Sequence, residues 1–341
     1  MSVTALLPRP SSLATTGVGS LPHTQQELAL QKALAVDIPY LPQLPRHSAA
    51  EYMIPQALDG LPGLRYDADG TATVNAAVWA RDGEAFNRRL DDALSGDVSA
   101  FAPSPLSQSA WQPFLWEIEH RGKVFAKAQL AGPTTLRWLV TLDDGRRVHA
   151  EPSLDRAIYR LVLARATAMA RKMRECGATP ILSFDEPGLY ALDVKDPQHM
   201  VYLQELRLLA SALRQAGALT ALHCCSNTAW GALLGLGFDY LSLDVRLSLG
   251  SLLRAKLELQ SFAKAGGRLM LGIVPTNADA PYDLEDLVAT TAASLSGLAM
   301  PLSECILTPA CGLAMRSIPE TSAIFEDLRA AQRSLRALAS A

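Results

Sequence analysis

Short apolar runs alternate with longer amphipathic segments along most of this 341-residue chain, and that alternation narrows the possible folds more than any single motif. Strand-like runs fall at 14–18, 38–44, 124–130, 180–184, 219–222, 240–244, 268–274 and 305–307. Helical periodicity follows most of them, at about 25–35, 154–176, 199–215, 228–236, 252–265, 284–295 and 322–337. The long segment from Leu154 to Cys176 carries both boundary signals, with Pro152-Ser153 before it and Gly177 after it. Strands that alternate with helices build a parallel sheet with helices packed outside it. Eight such units in one chain favour an α/β fold of the (β/α)8 (TIM) barrel kind over an open doubly wound sheet. With 49% hydrophobic residues, the chain has the apolar content for one large core. A phosphate-cradling glycine fingerprint and a P-loop are both missing from the sequence, which weakens nucleotide readings.

Residues 46–122 interrupt the alternation after the second strand. Arg65 to Val78 reads as a hairpin around Asp67-Ala68-Asp69-Gly70, a stretch suited to a turn with positive φ. Helical patterns follow at 82–94 and 112–120. Trp79, Phe86, Trp111 and Trp116 make this a structured insertion in a single domain spanning 1–341, with the aromatics packed in its core or as a lid. A net charge of −3 gives no reason to expect nucleic acid or a membrane surface as partner. Met1 to Ser12 lacks the basic-then-apolar pattern of a signal peptide, and no apolar run approaches a membrane span. Five cysteines, an odd number in a long chain, argue against a disulfide framework and for a cytoplasmic protein with reduced thiols.

Polar residues cluster at C-terminal strand ends, where barrels of this kind build their sites. Ser20, Asp185, His223, Cys225, Asp244 and Cys311 all lie there. His223-Cys224-Cys225 is the densest group. Side chains alternate along a strand, so His223 and Cys225 share a face while Cys224 points into the core. Imidazole and thiolate suit zinc, which takes nitrogen and sulfur in a tetrahedron. Cys311, just past another strand, supplies a further thiol. Gly19 and Ser20 offer close backbone approach and a hydroxyl to a small ligand, or form a plain strand-to-helix turn. Cys176 and Cys305 read as core thiols, and His23, His47 and His199 as surface or supporting groups.

Five stretches together carry a family resemblance: Thr16-Gly17-Val18-Gly19-Ser20-Leu21-Pro22, Ala131-Gly132-Pro133-Thr134-Thr135, Asp185-Glu186-Pro187, His223-Cys224-Cys225 and Pro309-Ala310-Cys311-Gly312-Leu313. In this order the chain resembles the cobalamin-independent methionine synthase family, within the superfamily shared with uroporphyrinogen decarboxylase and corrinoid:thiol methyltransferases. The His-x-Cys and late Cys-Gly pieces are the most specific. The resemblance implies a zinc-dependent thiol methyltransferase acting on homocysteine or a similar thiol. It implies zinc ligands at His223, Cys225 and Cys311, with Asp244 standing where the family has Glu, a side chain shorter by one methylene. It further implies that Gly19, Ser20 and Asp185 hold the amino-acid thiol, with Glu51 a candidate second acid, and that Trp138 lies near the methyl donor. Only the thiolate is a good nucleophile, so the metal's role in such an enzyme is to ionise the acceptor sulfur.

Full-length members carry two barrels, and the resemblance covers the C-terminal, catalytic one. Loss of a remote anchor for the donor's polyglutamate tail lowers affinity and positioning. The expected donor is therefore a methyl-corrinoid, free or on a corrinoid protein, used better than methylfolate. Two other readings compete. A decarboxylase of the uroporphyrinogen type needs an N-terminal arginine clamp, and only Arg9 precedes Ser20. A non-catalytic zinc or thiol-binding barrel requires a closed four-ligand site and leaves Ser20 and Asp185 without a role.

Overall fold

The computed structural model describes residues 7–277, 281–298 and 300–340. Its strands, in chain order, are β1 (Leu64–Tyr66), β2 (Ala72–Val74), β3 (Phe125–Ala131), β4 (Thr141–Leu142), β5 (Thr179–Asp185), β6 (Leu219–Cys224), β7 (Tyr240–Asp244), β8 (Arg268–Val274) and β9 (Ile306–Pro309). Six of them form a curled parallel sheet in the order β3-β5-β6-β7-β8-β9. Along β6 every residue is buried, and along β8 all but Arg268. Strands covered on both faces are largely apolar, which is why these stretches read as apolar runs, with buried Thr220 and His223 the polar residues of β6. Each is followed by helix, including Pro152–Glu175, Pro197–Gln215, Val245–Arg254, Leu284–Leu295 and Ile318–Ser340.

The first two expected strands differ from the rest. Residues 14–20 and 38–44 form only isolated bridges, pairing Thr15 with Leu307, Ser20 with Gln43 and Tyr40 with Lys127. Pro39 and Pro42 lack backbone donors, so a continuous ladder cannot form along the second of these segments. A pair of backbone bonds at each bridge does link them to the sheet's two edges, with Leu307 N also donating to Ala14 O and Leu41 N to Lys127 O, each at 2.9 Å, and a further bond joins the two segments to each other. Thr16 N donates to Leu307 O at 3.0 Å, Ile38 N to Thr15 O at 2.9 Å and Lys127 N to Pro39 O at 2.8 Å. The arrangement is compatible with an α/β barrel.

Elsewhere the helices shift modestly from expectation. The one expected over 252–265 is two, Val245–Arg254 and Lys256–Lys264, meeting at Ala255. The one expected over 228–236 shortens to Trp230–Leu234. The hairpin of the insertion is β1 paired antiparallel with β2, and β4 adds a third strand parallel to β2. Helix Ala76–Ser95 buries Trp79 and Phe86, and Trp111 is buried at the start of helix Trp111–His120. Trp116 departs from the expected packing: it is 55% exposed and stacks on His120 one turn later. The insertion is fastened to the sheet's outer helices by the buried guanidinium of Arg165. That group donates to the carbonyls of Gln56 at 2.6 Å, Ala57 at 3.0 Å and Asp59 at 2.6 Å. Among the described residues, no helix is long and apolar enough to cross a membrane.

Candidate metal and thiol site

Strand register assembles the site. His223 sits opposite Asp185 on β5 and opposite Ser242 on β7, and Cys225 lies one residue beyond the end of β6. Cys311 lies two residues beyond the end of β9. The ligand atoms of His223, Cys225 and Cys311 all lie within 4.8 Å of one another. Bonds of 2.0–2.3 Å to zinc would set tetrahedral edges of about 3.6 Å, so the three donors need only a small contraction to close on one ion. Nδ1 of His223 contacts Ser242 Oγ at 2.9 Å, while its buried Nε2 has no hydrogen-bond partner. A buried imidazole nitrogen rarely goes unpaired. Here the orphaned nitrogen belongs to the residue that shares its cluster with two thiols, which is the arrangement a metal ligand requires.

The two thiols are unequal. Cys225 is held far below its usual range, first by hydrogen bonding from Cys311, with the charge of His223 adding to the effect. Cys311 is pushed up, chiefly because it carries the proton that Cys225 accepts. A pair that shares one proton in this way is ready to lose it to a cation. Cys224 faces the other way, as the alternation requires. It is buried, donates to Ser226 O at 3.3 Å and is raised to about 12 by burial. Cys305 is likewise a buried thiol, whereas Cys176, expected in the core, is half-buried.

Asp185 is half-buried at the end of β5, with Oδ1 accepting from Ser183 Oγ at 3.3 Å. Burial raises its pKa, and the charges of His223 and Lys127 oppose that rise. Ser20 reaches the site from the N-terminal segment and meets the Cys311 loop directly. Leu313 N donates to Ser20 O at 2.9 Å, and Ala314 N to Ser20 Oγ at 3.3 Å. Glycine at 312 leaves room for this rotamer of Ser20, since a Cβ there would lie 2.3 Å from Ser20 Oγ. Asp244 stands outside the three-donor cluster. Its Oδ1 accepts from Arg246 N at 2.8 Å and Leu247 N at 3.2 Å, capping helix Val245–Arg254. It remains near enough for the charge of Cys225 to add to the rise in pKa that burial causes.

Trp138 lines a cleft of about 660 Å³ with Tyr190, His199, Tyr202 and Arg147, and neither Cys225 nor Cys311 is among its lining residues. His199, expected to be a surface or supporting group, tilts against Trp138 with ring centroids 4.7 Å apart. His23 and His47 carry the same expectation, and of these His23 is buried and His47 exposed. Glu51 is fully buried and already accepts from Leu44 N at 2.9 Å and Ser109 N at 3.0 Å, tying the second extended segment to the insertion. Glu186, which sequence reasoning passed over, is also fully buried. It accepts from Thr134 N at 3.0 Å and Thr135 N at 2.6 Å, at the start of helix Pro133–Leu139. The signal was its neighbour Asp185, because consecutive strand residues face opposite ways. Lys127, Gln129 and Ser242 are further buried polar residues that no motif marked.

No family model matches the chain. Over 256 residues, or 72% of its length, it is 27% identical to a 5-methyltetrahydropteroyltriglutamate–homocysteine methyltransferase of Streptomyces griseus. The chain spans about 30% of that protein's length. Among solved structures it is similar to a methyltransferase from Methanosarcina mazei, with a TM-score of 0.55 at 18% identity. That match covers 96% of this chain and 94% of the other, and shows a shared fold.

Proposed function

We propose that this chain is a zinc-dependent thiol methyltransferase built on a (β/α)8 barrel, with homocysteine or a close analogue as acceptor. The observation that carries this reading is the orphaned Nε2 of His223 in one cluster with Cys225 and Cys311. The similarity to a homocysteine methyltransferase supports it. In this reading the chain is one catalytic unit, and residues 46–122 are a packed insertion within it. Zinc held by His223 Nε2 and the two thiolates supplies the positive charge that keeps an acceptor thiol ionised at neutral pH.

The chain's own groups do the rest. Asp185 presents a carboxylate beside His223, suited to an acceptor ammonium. The Ser20 hydroxyl, set against the Cys311 loop, is placed to bind an acceptor carboxylate. An amino-acid thiol held at both ends is thereby oriented with its sulfur towards the cysteines. The aromatic cleft around Trp138 is the proposed site for a flat methyl donor, either methylfolate or a methyl-corrinoid, with the corrinoid expected to be the better substrate. Arg9, the one candidate for a decarboxylase clamp, pairs instead with Asp239 at 3.0 Å, just ahead of β7 and at the opposite end of the strands.

Metal analysis of the purified chain, followed by methyl-transfer assays with homocysteine, tests the proposal. One zinc per chain and methionine formation are expected, faster from methylcobalamin than from methyltetrahydropteroyl-triglutamate. A chain that binds no zinc, or one that transfers methyl groups equally well after Cys225→Ser and Cys311→Ser, refutes it.

A further inference from the structure

The inner face of β3 carries two buried polar side chains that the proposed chemistry leaves unused. Lys127 is 2% exposed and Gln129 1% exposed. Burying an ammonium is costly unless its hydrogen bonds are all directed at specific partners. Lys127 Nζ donates to Val18 O at 2.5 Å and to Gln129 Oε1 at 3.2 Å. Gln129 Nε2 in turn donates to Leu41 O at 2.9 Å. Val18 and Leu41 belong to the two extended segments that lack a regular ladder, so their carbonyls need partners from outside the sheet. Gln129 also abuts the backbone of Gly19: a Cβ on residue 19 would lie 2.6 Å from Gln129 Cδ.

We infer that Lys127 is a positioning residue for the Val18-Gly19-Ser20 turn and, through Ser20, for the loop that carries Cys311. The path is continuous. The ammonium grips the carbonyl of Val18, and Gln129 supports Gly19 from beneath. Ser20 then receives the amides of Leu313 and Ala314, on the residues just after Cys311 and Gly312. Backbone pairing at the turn is confined to the bridge with Gln43, whose N donates to Gly19 O at 3.1 Å and whose O accepts from Leu21 N at 2.9 Å, and it leaves the carbonyl of Val18 to the ammonium. The cation therefore adds to that bridge the hold on Val18 that a continued ladder would give. Its remaining electrostatic neighbour is Asp185, on the adjoining strand, so the same group places a positive charge beneath the proposed acceptor site.

This inference rests on the proposed acceptor site only for its functional consequence; the structural part stands without it. The experiment is hydrogen–deuterium exchange on the zinc-loaded full chain, comparing wild type, Lys127→Met and Lys127→Gln. The Met side chain fills the same volume without a donor, and Gln keeps a shorter, neutral donor. Lys127→Met should speed exchange at least tenfold in peptides spanning 14–22 and 310–316, with β5 to β8 unchanged. Lys127→Gln should fall between Met and wild type. Titration with homocysteine should show a dissociation constant raised about tenfold in the Met variant, while 3-aminopropane-1-thiol, which lacks the carboxylate, should bind as it does to wild type. Unchanged exchange at both segments overturns the inference. So does an increase of equal size across all strands, which would mark Lys127 as a general stability element. If Lys127→Met fails to fold, the Gln variant alone decides, by the same selective pattern. Should wild type bind no thiol amino acid while the exchange pattern appears, the functional reading fails and the positioning role stands.

Discussion

Removing the Ser242 hydroxyl isolates the part of the proposed metal site that the fold alone supplies. Ser242 and His223 are each 4% exposed, and their side chains meet at 2.9 Å. The contact fixes the orientation of the imidazole, with Nδ1 turned to Ser242 and Nε2 left to the thiols. In Ser242→Ala the ring loses one neutral hydrogen bond, worth about 0.5–1.5 kcal/mol, and keeps a buried polar nitrogen that costs about 1–3 kcal/mol unpaired. Loss of such a supporting partner typically weakens metal binding about 10- to 100-fold. At 1.4 kcal/mol per tenfold, that is about 1.4–2.8 kcal/mol, in agreement with the hydrogen-bond figures. Competition against a chromophoric chelator at pH 7 measures the change. Ser183→Ala is the control, because its hydroxyl contacts Asp185 and not His223. A Ser242→Ala chain holding zinc within about threefold of wild type would refute the role of Ser242 in presenting Nε2 to the metal, since the ring orientation it supports would then carry no weight.

The thiols make a matching series. Cys225→Ser and Cys311→Ser should each lose most of the zinc, and Cys224→Ser should retain it, as read by metal content after gel filtration; loss in the Cys224 variant would overturn the register of β6. Asp244→Asn should keep the cap on helix Val245–Arg254 and bind zinc more weakly, while Asp244→Ala should also lose about 1 kcal/mol of stability in urea. Glu186 sets a pH dependence of unusual sign. Burial raises its folded pKa to about 7, against pulls from the Thr135 and Thr134 donors. A carboxyl raised on folding stabilises the fold while protonated, fully below its unfolded pKa near 4.5, and loses that contribution as pH rises through about 7. The loss is on the order of 3 kcal/mol at 1.36 kcal/mol per unit. Urea unfolding from pH 4.5 to 7.5 should show this decline in wild type and a flatter profile in Glu186→Gln; parallel profiles would remove Glu186 as its source.

What the sequence made legible was whatever depends on local periodicity. Helix Leu284–Leu295 and strands Tyr240–Asp244 and Arg268–Val274 fall at their expected bounds, because apolar spacing and flanking punctuation determine them locally. The opposite facing of Cys224 and Cys225 follows from the two-residue period in the same way. Buried polar partners were hidden because they are set by contacts distant in sequence. Lys127 meets Val18 across 109 positions, and Arg165 meets Gln56 across the same separation. Nothing near either residue distinguishes it from a surface cation. Trp116 shows the converse limit, since an aromatic on a helix is read as core whichever side the helix presents.

Asp244 and Asp185 illustrate how strand-end acids divide between fold and chemistry. At the end of β5, two consecutive carboxylates separate the tasks: Glu186 caps a neighbouring helix from within the core, and Asp185 is left beside His223. At the end of β7 one carboxylate faces both. The cap that Asp244 makes is worth about 0.5–2 kcal/mol, so turning to a metal would cost it that much. A ligand with a competing position of this kind binds less firmly than a thiolate with none. In the proposed reaction that weakness would be useful, because His223, Cys225 and Cys311 would hold the zinc while the weaker Asp244 would leave room for an acceptor thiol. Aspartate, a methylene shorter than glutamate, strengthens the bias, since its reach to the helix amides is short while its reach to the three donors is longer. Were zinc held by His223, Cys225 and Cys311, the start of helix Val245–Arg254 would offer Asp244 a standing alternative to binding it.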